Sequence, residues 1–283
     1  MSTSAVNLIL IANGNYVVAE EQAQLDRTVD MIELAKKEAS KWGEKIPGLK
    51  EFDLSQSGPM QDSTSENPVG ADGVVSLDVG GTTLEGLQSL EATFTNGLSQ
   101  VGDLSDPLAR SVRVSEKEME ISVTADYIDP QNADGTGWDN LYTAQENNAT
   151  VVFTLNFGEL TFSGDLRPGD WTLDSQERGD EVQTDFTLMH DGAITRDSGA
   201  LDTGQEVILS EWFNEANITA EIGRIPDGQD PTTNTDFADG SQYWEGETIV
   251  ETITLSADRA EELTFEFDLA GDGPLNRKVF SAV

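Results

Sequence analysis

Apolar and polar residues alternate with a period of two along most of this chain, which is typical of half-buried β-strands. The clearest run is 118–127, in which every second residue from Met119 to Tyr127 is apolar. Helical periodicity is confined to two short segments, 138–145 and 204–214, and the first is expected to have Asp139 as its cap. The pattern therefore predicts an all-β protein with two short helices.

Shorter runs predict the remaining strands. Residues 22–34 fit a helix face as well as a strand, and we favour a strand because Ile32 and Leu34 share one face. Residues 98–114 are predicted to form a long loop or arm, and Asn13–Gly14 a hairpin turn. The other predicted strands are 8–11, 16–19, 50–56, 74–79, 90–94, 150–157, 160–164, 171–174, 181–189, 218–222, 241–244, 248–255 and 262–269.

An internal repeat divides the chain. Residues 173–192 align without a gap with residues 254–273, so that Phe186 corresponds to Phe267. The helix-then-strand layout upstream of each segment also matches, which indicates two units with nested parts. The predicted domains are a discontinuous domain A, residues 1–60 plus 200–283, and an inserted domain B, residues 73–192, joined by linkers at 61–72 and 193–199.

The composition is strongly acidic, with 53 Asp and Glu against 16 Lys and Arg and a formal net charge of -37. Like charges about 6 Å apart in water repel by roughly 0.7 kcal/mol, and in about 1 M salt the Debye length falls to roughly 3 Å. We therefore favour a protein adapted to molar salt, with calcium storage as the alternative. This surface argues against sequence-specific binding of nucleic acid, because phosphates need cations.

The chain has no cysteine, so disulfides and thiolate metal sites are excluded. The early apolar run 5–12 is too short to cross a bilayer, and no basic residue precedes it. Neither a membrane span nor a signal peptide is predicted, and the protein is expected to be made and kept in the cytoplasm.

Basic residues are concentrated in two segments of this acidic chain. The first holds Lys36, Lys37, Lys41, Lys45 and Lys50, and the second holds Arg110, Arg113 and Lys117. We predict that both segments dock on acidic surfaces of neighbouring copies, which would set register and partner choice. The alternative is that the lysines only keep a loop soluble.

Several stretches resemble the major tail tube proteins of long-tailed phages, over nearly the whole chain. Residues 41–52 read KWGEKIPGLKEF, where that family has a Gly-Trp, a Lys and an Ile-x-Gly-Leu-Lys-Glu-Trp segment before a strand. Near the end, YWEGETIV at 243–250 is followed by LSA at 255–257, LTF at 263–265 and GDGPL at 271–275, in the order that the family shows. The acidity and the nested second unit depart from the family pattern.

The resemblance implies a β-sandwich whose copies join sheets edge to edge into a ring around a channel, with rings stacked into a tube. The arms would reach the adjacent ring, so the eight basic residues above become candidate inter-ring contacts. The implied protein is a virion component of a siphovirus-type tail with a halophilic, archaeal host, and it conducts ejected DNA. Its implied partners are itself, the tape measure, tail terminator and baseplate proteins and passing DNA, with no cofactor.

The sequence leaves two possibilities for the number of copies per ring. Two tube-type units in one chain favour trimeric, pseudo-sixfold rings, and the alternative is a hexamer in which domain B decorates the outside. Unit B has its own basic arm, which favours the trimer.

Other functions fit the sequence less well. His190 is the single histidine and is interpreted as an exposed turn residue, and no nucleophile elbow, Walker loop or dinucleotide fingerprint is present, so no enzyme is expected. The Asp-rich loops 126–139 and 227–240 do not match EF-hand spacing and are interpreted as acidic turns. The second functional hypothesis is a cell-surface, S-layer-type β-domain protein of a halophile, which would require an export signal.

Overall fold

The computed structural model is described for part of the chain, over ranges separated by gaps. These are residues 8–17, 22–34, 44–60, 75–102, 110–129, 133, 135–158, 160–175, 182–197, 201, 203–225, 237–258 and 263–281. Within them, long alternating runs form strands, and helices form only where apolar residues recur every three or four positions.

The described ranges contain sixteen strands and two helices, and the all-β prediction is confirmed. In chain order these are β1 Leu8–Ala12, β2 Asn15–Val17, β3 Gln22–Leu34, β4 Glu44–Pro59, β5 Val75–Val79, β6 Thr82–Thr83, β7 Leu87–Gly102, β8 Arg110–Asp126, α1 Gly137–Glu146, β9 Val151–Phe157, β10 Leu160–Ser175, β11 Val182–His190, β12 Thr195–Asp197, α2 Thr203–Asn214, β13 Ile218–Arg224, β14 Gln242–Asp258, β15 Thr264–Gly271 and β16 Asn276–Val279.

The strands fall into two sets that pair in the same way. Set A, which is β1–β4 with α2 and β13–β16, has the order β2-β1-β13-β14-β15-β4-β3, with β16 also on β14. Set B, which is β5–β12 with α1, has the order β6-β5-β9-β10-β11-β8-β7, with β12 also on β10. Each strand of set A thus has a counterpart in set B, while the predicted domain boundaries stay a prediction.

Residue positions correspond between the sets as well. In the β3–β4 hairpin Leu25 lies opposite Leu54, and 67 residues later in the β7–β8 hairpin Ala92 lies opposite Ile121. The two hairpins have register shifts at counterpart positions. The β14–β15 pair and the β10–β11 pair each have a register shift as well. Counterparts on β10 lie 82 residues before those on β14, as for Trp171 and Ile253.

The two helices occupy the same place in each set. Gly137 of α1 lies against the backbone of Thr82, and Gly204 of α2 lies against the backbone of Tyr16, so a Cβ at either glycine would clash. Trp138, Leu141 and Ala144 form the buried face of α1. Thr136, and not the predicted Asp139, is the cap of this helix, because its side chain accepts from the Asp139 N–H.

One long sheet crosses both sets because β14 of set A pairs with β7 of set B. Its order is β3-β4-β15-β14-β7-β8-β11-β10, with four strands from each set. One face of this sheet is apolar and packs into the hydrophobic core with the helices. The long sheet is therefore the element that joins the two halves of the described structure.

Several predicted boundaries are wrong. Residues 98–102 and 110–114 are paired strand rather than loop, since the β7–β8 ladder continues to Gly102 opposite Arg110. The segments 160–164 and 171–174 belong to one strand, β10, and the linker predicted at 193–199 contains β12 paired with β10. The predicted strand at 22–34 and the predicted second helix are confirmed as β3 and α2.

Candidate assembly interface

The joint between the two sets is a buried, antiparallel strand pair. Leu255 of β14 lies opposite Ala92 of β7, and both side chains are fully buried. Next to them Ile253 lies opposite Phe94, which is also fully buried. The alternating apolar positions of the two strands thus face the same core, which fixes their register.

An aromatic cluster closes the core behind this joint. The Phe94 ring of set B lies 5.3 Å from the Trp212 ring of set A, in an edge-on arrangement, and 4.9 Å from the Phe162 ring. Phe162 in turn stacks on Phe213 at 6.3 Å. Aromatic pairs at such distances add about 0.5–1.5 kcal/mol each beyond the area that they bury.

Polar contacts hold the β7–β8 hairpin against set A. The Asn96 side-chain amide donates to the Val250 carbonyl at 2.7 Å, within the buried joint. The Lys117 ammonium donates to the Phe213 carbonyl at 2.8 Å and lies 3.1 Å from the Glu215 carboxylate. Lys117 therefore binds the C-terminal end of α2, where the helix dipole favours a positive charge.

The far end of the same hairpin rests on the end of β15. Asp272 accepts from the Ser111 hydroxyl at 2.8 Å and from the Val112 N–H at 3.0 Å, and the Gly273 N–H donates to the Arg110 carbonyl at 2.6 Å. The Arg110 guanidinium lies 3.5 Å from the Asp53 carboxylate. This contact is within one chain, so the second basic segment docks on set A of its own molecule.

Two carboxyl groups at this end of the hairpin hold their protons more tightly than usual. Burial raises the pKa of Asp53, while the nearby Arg110 acts in the opposite direction. Burial also raises the pKa of Glu251, and the negative charge of Asp53 raises it further. Arg110 therefore lies beside two partly buried carboxyl groups whose charged forms are disfavoured by burial.

The two outer strands of the long sheet have edges that no described residue covers. β3 pairs only with β4, and residues 167–175 of β10 pair only with β11. The other outer strands, β2, β6, β12 and β16, have two to four residues each, which limits their ability to recruit another strand. The open edges of β3 and β10 are long and are therefore able to pair with another chain.

These open edges are the counterparts of the joined pair. By the offsets given above, β10 corresponds to β14 and β3 to β7. Within the described residues, the long sheet therefore leaves uncovered at its two edges the counterparts of the strands that it joins in its middle. Leu173, the counterpart of Leu255, is 53% exposed, although Leu255 is fully buried. An apolar side chain is thus left uncovered where a neighbouring strand is missing.

The face of the long sheet that points away from the core is polar. At alternate positions along the strands it carries acids, hydroxyls and amides, with Met189 as an apolar exception and Arg167, which lies opposite Met189, as a basic one. Cross-strand bonds order part of it, as from the Thr252 hydroxyl to Asp268 at 3.0 Å and from the Thr124 hydroxyl to Asp185 at 2.6 Å. Its acids include Asp26, Glu51, Asp53, Glu91, Glu116, Glu118, Glu120, Asp170, Asp185, Asp258, Glu266 and Asp268.

The structure places only some of the predicted contact residues. Lys36, Lys37 and Lys41 lie outside the described residues, and for Lys45 only the backbone, in β4, is described. Lys50 and Arg113 are exposed, whereas Arg110 and Lys117 contact set A as described above. Their roles between rings stay a prediction.

The structure also shows where His190 lies and whether the described acids could bind a metal ion. His190 is the last residue of β11 and half-buried, not a turn residue, and its Nδ1 accepts from the Met119 N–H at 2.9 Å. In the described part of the chain no group of three or more His, Asp or Glu side chains is arranged to hold a metal ion. Neither described helix has the length and apolarity to cross a membrane.

Sequence reasoning missed the open edges, because the gapless repeat pairs Leu173 with Thr254, one position away from its structural counterpart Leu255. A repeated edge that is buried in one copy is either covered or open in the other. Only the strand order tells which of these holds.

No family model matches the chain, and no curated protein matches it. Among solved structures, one chain from the virion of a native gene transfer agent particle is similar with a TM-score of 0.40 and 14% identity, covering 44% of this chain and 97% of that one. A chain from the tail of an empty particle of that kind has a TM-score of 0.37 and 16% identity, covering 44% and 95%. Likeness at these scores carries no argument about function.

Proposed function

We propose that this chain is a structural protein of a phage-type tail, which polymerises as stacked rings into the tail tube. The observation that carries the proposal is the matched pair of open edges. The long sheet has the β14–β7 pair in its middle, and its two outer strands, β10 and β3, are the counterparts of β14 and β7. If β10 of each copy pairs with β3 of the next copy, the sheet continues from copy to copy and every inner edge is paired. Closure of the sheet into a ring then pairs the two remaining edges.

The internal joint supplies the register of the joint between copies. If β10 pairs with β3 of the next copy as β14 pairs with β7, Leu173 lies opposite Leu25 and Thr172 opposite Asp26. Trp171 then lies opposite Arg27, which places a guanidinium beside an aromatic ring. Leu25 is half-buried on the core side of β3, so the pairing would cover the exposed Leu173 with an apolar partner.

In such a ring the polar face of the long sheet lines the channel. The opposite face is taken by the hydrophobic core and the helices, so the acids and hydroxyls are the groups left to face inward. Acids outnumber the described arginine of this face, Arg167, so the lining as a whole repels the phosphate backbone of DNA. These properties suit a conduit through which viral DNA passes without adhering.

Two similar joints per chain favour three copies per ring. Each copy would add the four strands of set A and the four strands of set B of the long sheet, so a trimer would be pseudo-sixfold. The acidity of the chain supports a virus of a halophilic host, because molar salt screens the repulsion between copies. The basic residues proposed to reach the next ring are Lys36, Lys37, Lys41, Lys45 and the exposed Arg113. The tail terminator, tape measure and baseplate proteins are the other proposed partners.

Negative-stain microscopy of the purified protein in about 2 M salt, where surface charges are screened, tests the proposal. We expect rings or tubes with a central channel, which should dissociate when salt is reduced to about 0.1 M. Flat sheets would support the cell-surface hypothesis instead. A protein that stays monomeric at high concentration in molar salt would contradict the proposal.

A further inference from the structure

Lys117 forms a contact across the internal joint that is separate from the pairing of β14 with β7. Besides its bonds to the Phe213 carbonyl and Glu215, its ammonium lies 5.1 Å above the Trp212 ring. A single side chain thus connects the hairpin of set B to the last turn of the helix of set A. A cation at this position is favoured by the free carbonyls of a helix C-terminus.

The counterpart of Lys117 in set A is again a lysine. Lys50 lies on β4 opposite Val29, 67 residues before Lys117, which lies on β8 opposite Asn96. Lys50 is exposed, and no described residue forms an ion pair or hydrogen bond with its side chain. The chain therefore carries the same cation at the open edge, without the helix end that binds it at the internal joint.

The counterpart of that helix end is the C-terminus of α1. Glu146 corresponds to Phe213, and Asn148 corresponds to Glu215, with the same offset of 67 and with positive φ angles of 48° and 57°. No basic residue lies in the last turn of α1, and residues 145–150 are all exposed. Just beyond the helix, the Arg167 guanidinium of β10 donates to the Asn148 carbonyl at 3.0 Å, which leaves the Glu146 carbonyl and carboxylate without a cation among the described residues. Within the described residues the Glu146 carbonyl accepts no hydrogen bond.

We infer that Lys50 of one copy docks on the C-terminal end of α1 of the neighbouring copy, beside Glu146. The inference rests on the proposed ring, since pairing β10 with the next β3 brings these two surfaces together as pairing β14 with β7 does for Lys117 and α2. Where the internal joint has Phe213, the joint between copies has an acid. The contact is therefore an ion pair added to a helix-terminus contact, and it identifies a second copy of this chain as the partner of α1.

A charge swap tests the contact. Lys50→Glu should raise the protein concentration needed for ring assembly by about tenfold, because it places two acids and a helix C-terminus together. The double variant Lys50→Glu/Glu146→Lys should restore assembly to within about threefold of the original protein, because each copy then presents the reversed pair. Arg277→Glu, an exposed change of the same net charge on β16, is the control and should shift assembly far less.

Assembly is measured by sedimentation and microscopy over a salt series, because screening at molar salt reduces the effect. A Lys50→Glu variant that assembles like the Arg277→Glu control would overturn the inference, as would a double variant no better than the single one. In both cases rings of the unaltered protein would leave the proposed function standing. If the unaltered protein forms no rings, the proposed function fails and the inference fails with it.

A direct measurement does not depend on assembly thresholds. The chain has no cysteine, so Lys50→Cys and Glu146→Cys proteins can be mixed, assembled and treated with a short bismaleimide. We expect a covalent dimer of the two variants in the mixture, and little dimer when Lys50→Cys is paired with Arg277→Cys. Equal dimer yields from the two mixtures would overturn the contact.

Discussion

The joint between β14 and β7 and the open edges of β10 and β3 share one strand geometry but differ in their side chains. At the joint, buried Leu255 and Ala92 lie opposite each other, and Phe94 packs on Trp212. At the open edges the counterparts of Phe94 and Trp212 are Arg27 and Gln145, and Leu173 remains exposed. Apolar side chains thus dominate the joint that forms inside the chain, and polar ones the edges left for another copy.

This difference teaches how one repeated geometry can serve two purposes. Burial of aromatic rings stabilises the internal joint with little dependence on salt. At the open edges, fewer apolar groups and more charges would make association weaker and dependent on ionic strength. A lone chain with a fully apolar edge would also risk uncontrolled strand pairing, which charged edge residues such as Asp26 and Arg27 oppose.

The largest effect is expected from a disulfide cross-link between β3 of one copy and β10 of the next, which forms only if these strands pair. In Leu25→Cys/Leu173→Cys protein the two cysteines lie opposite each other between copies, where Cα atoms about 4.5–5.5 Å apart allow a disulfide. Mild oxidation of assembled protein should give a ladder on denaturing gels that ends at the copy number of the ring. An end at three would agree with pseudo-sixfold rings, and an end at six with the alternative.

The matched control for this cross-link is Ala23→Cys/Leu173→Cys, in which one cysteine is displaced by two positions along β3. It should cross-link poorly, because diagonal pairs are about 7–8 Å apart at Cα, beyond usual disulfide distances. Equal ladders from both variants would show that β3 and β10 do not pair in the register of the internal joint.

A large loss of stability is expected from Phe94→Ala at the internal joint. Removing a fully buried ring that contacts Phe162 and Trp212 should lower the free energy of unfolding by about 3–5 kcal/mol. Its counterpart Arg27→Ala should cost less than about 1 kcal/mol in the monomer, where it removes an exposed contact 4.6 Å above Trp244. Urea unfolding of both variants at fixed salt makes the comparison, and equal losses would refute it.

A smaller effect, confined to association, is expected at the open edge. Leu173→Ala should leave monomer stability within about 0.5 kcal/mol, because the side chain is already exposed. It should weaken each joint between copies by about 1–3 kcal/mol, the range for an apolar side chain that becomes buried. Val152→Ala, which removes an exposed valine from β9 away from the open edges, is the control, and analytical ultracentrifugation is the measurement.

The smallest expected effect is a pH dependence of stability at the Arg110 contact. Burial raises the pKa of Asp53 and Glu251, so between the ordinary values near 3.8 and 4.5 and the raised native values the folded chain binds more protons than the unfolded one. Stability from these groups therefore increases as pH falls through the raised native values towards the ordinary ones, and is lost as pH rises through the native values.

The variant Asp53→Asn cannot ionise and should flatten this dependence. Urea unfolding at a series of pH values from the ordinary carboxyl values up to neutral, at constant salt, measures the slope for both proteins. An unchanged slope in the variant would show that Asp53 does not contribute to it, and a steeper slope would reverse the assigned sign.

Local patterns identified many elements before the structure was known. Alternation at 118–127 indicated β8, an inner strand of the long sheet, and the aromatic segment 204–214 indicated α2. Such signals succeed because the pleat and the helical turn each impose a period on neighbouring residues. They failed at 98–114, where β7 and β8 pair over residues whose apolar spacing is irregular around a register shift.

By itself the sequence determined the fold class, the two helices, the internal repeat and the acidic surface, since these depend on the order and type of residues. Only the tertiary structure decided that β14 pairs with β7, that no described residue covers the open edges of β10 and β3, and that one face of the long sheet is lined mainly by acids and hydroxyls. Strands far apart in the chain choose partners by burial and register across a whole sheet, and alternation alone does not say which face becomes the inside.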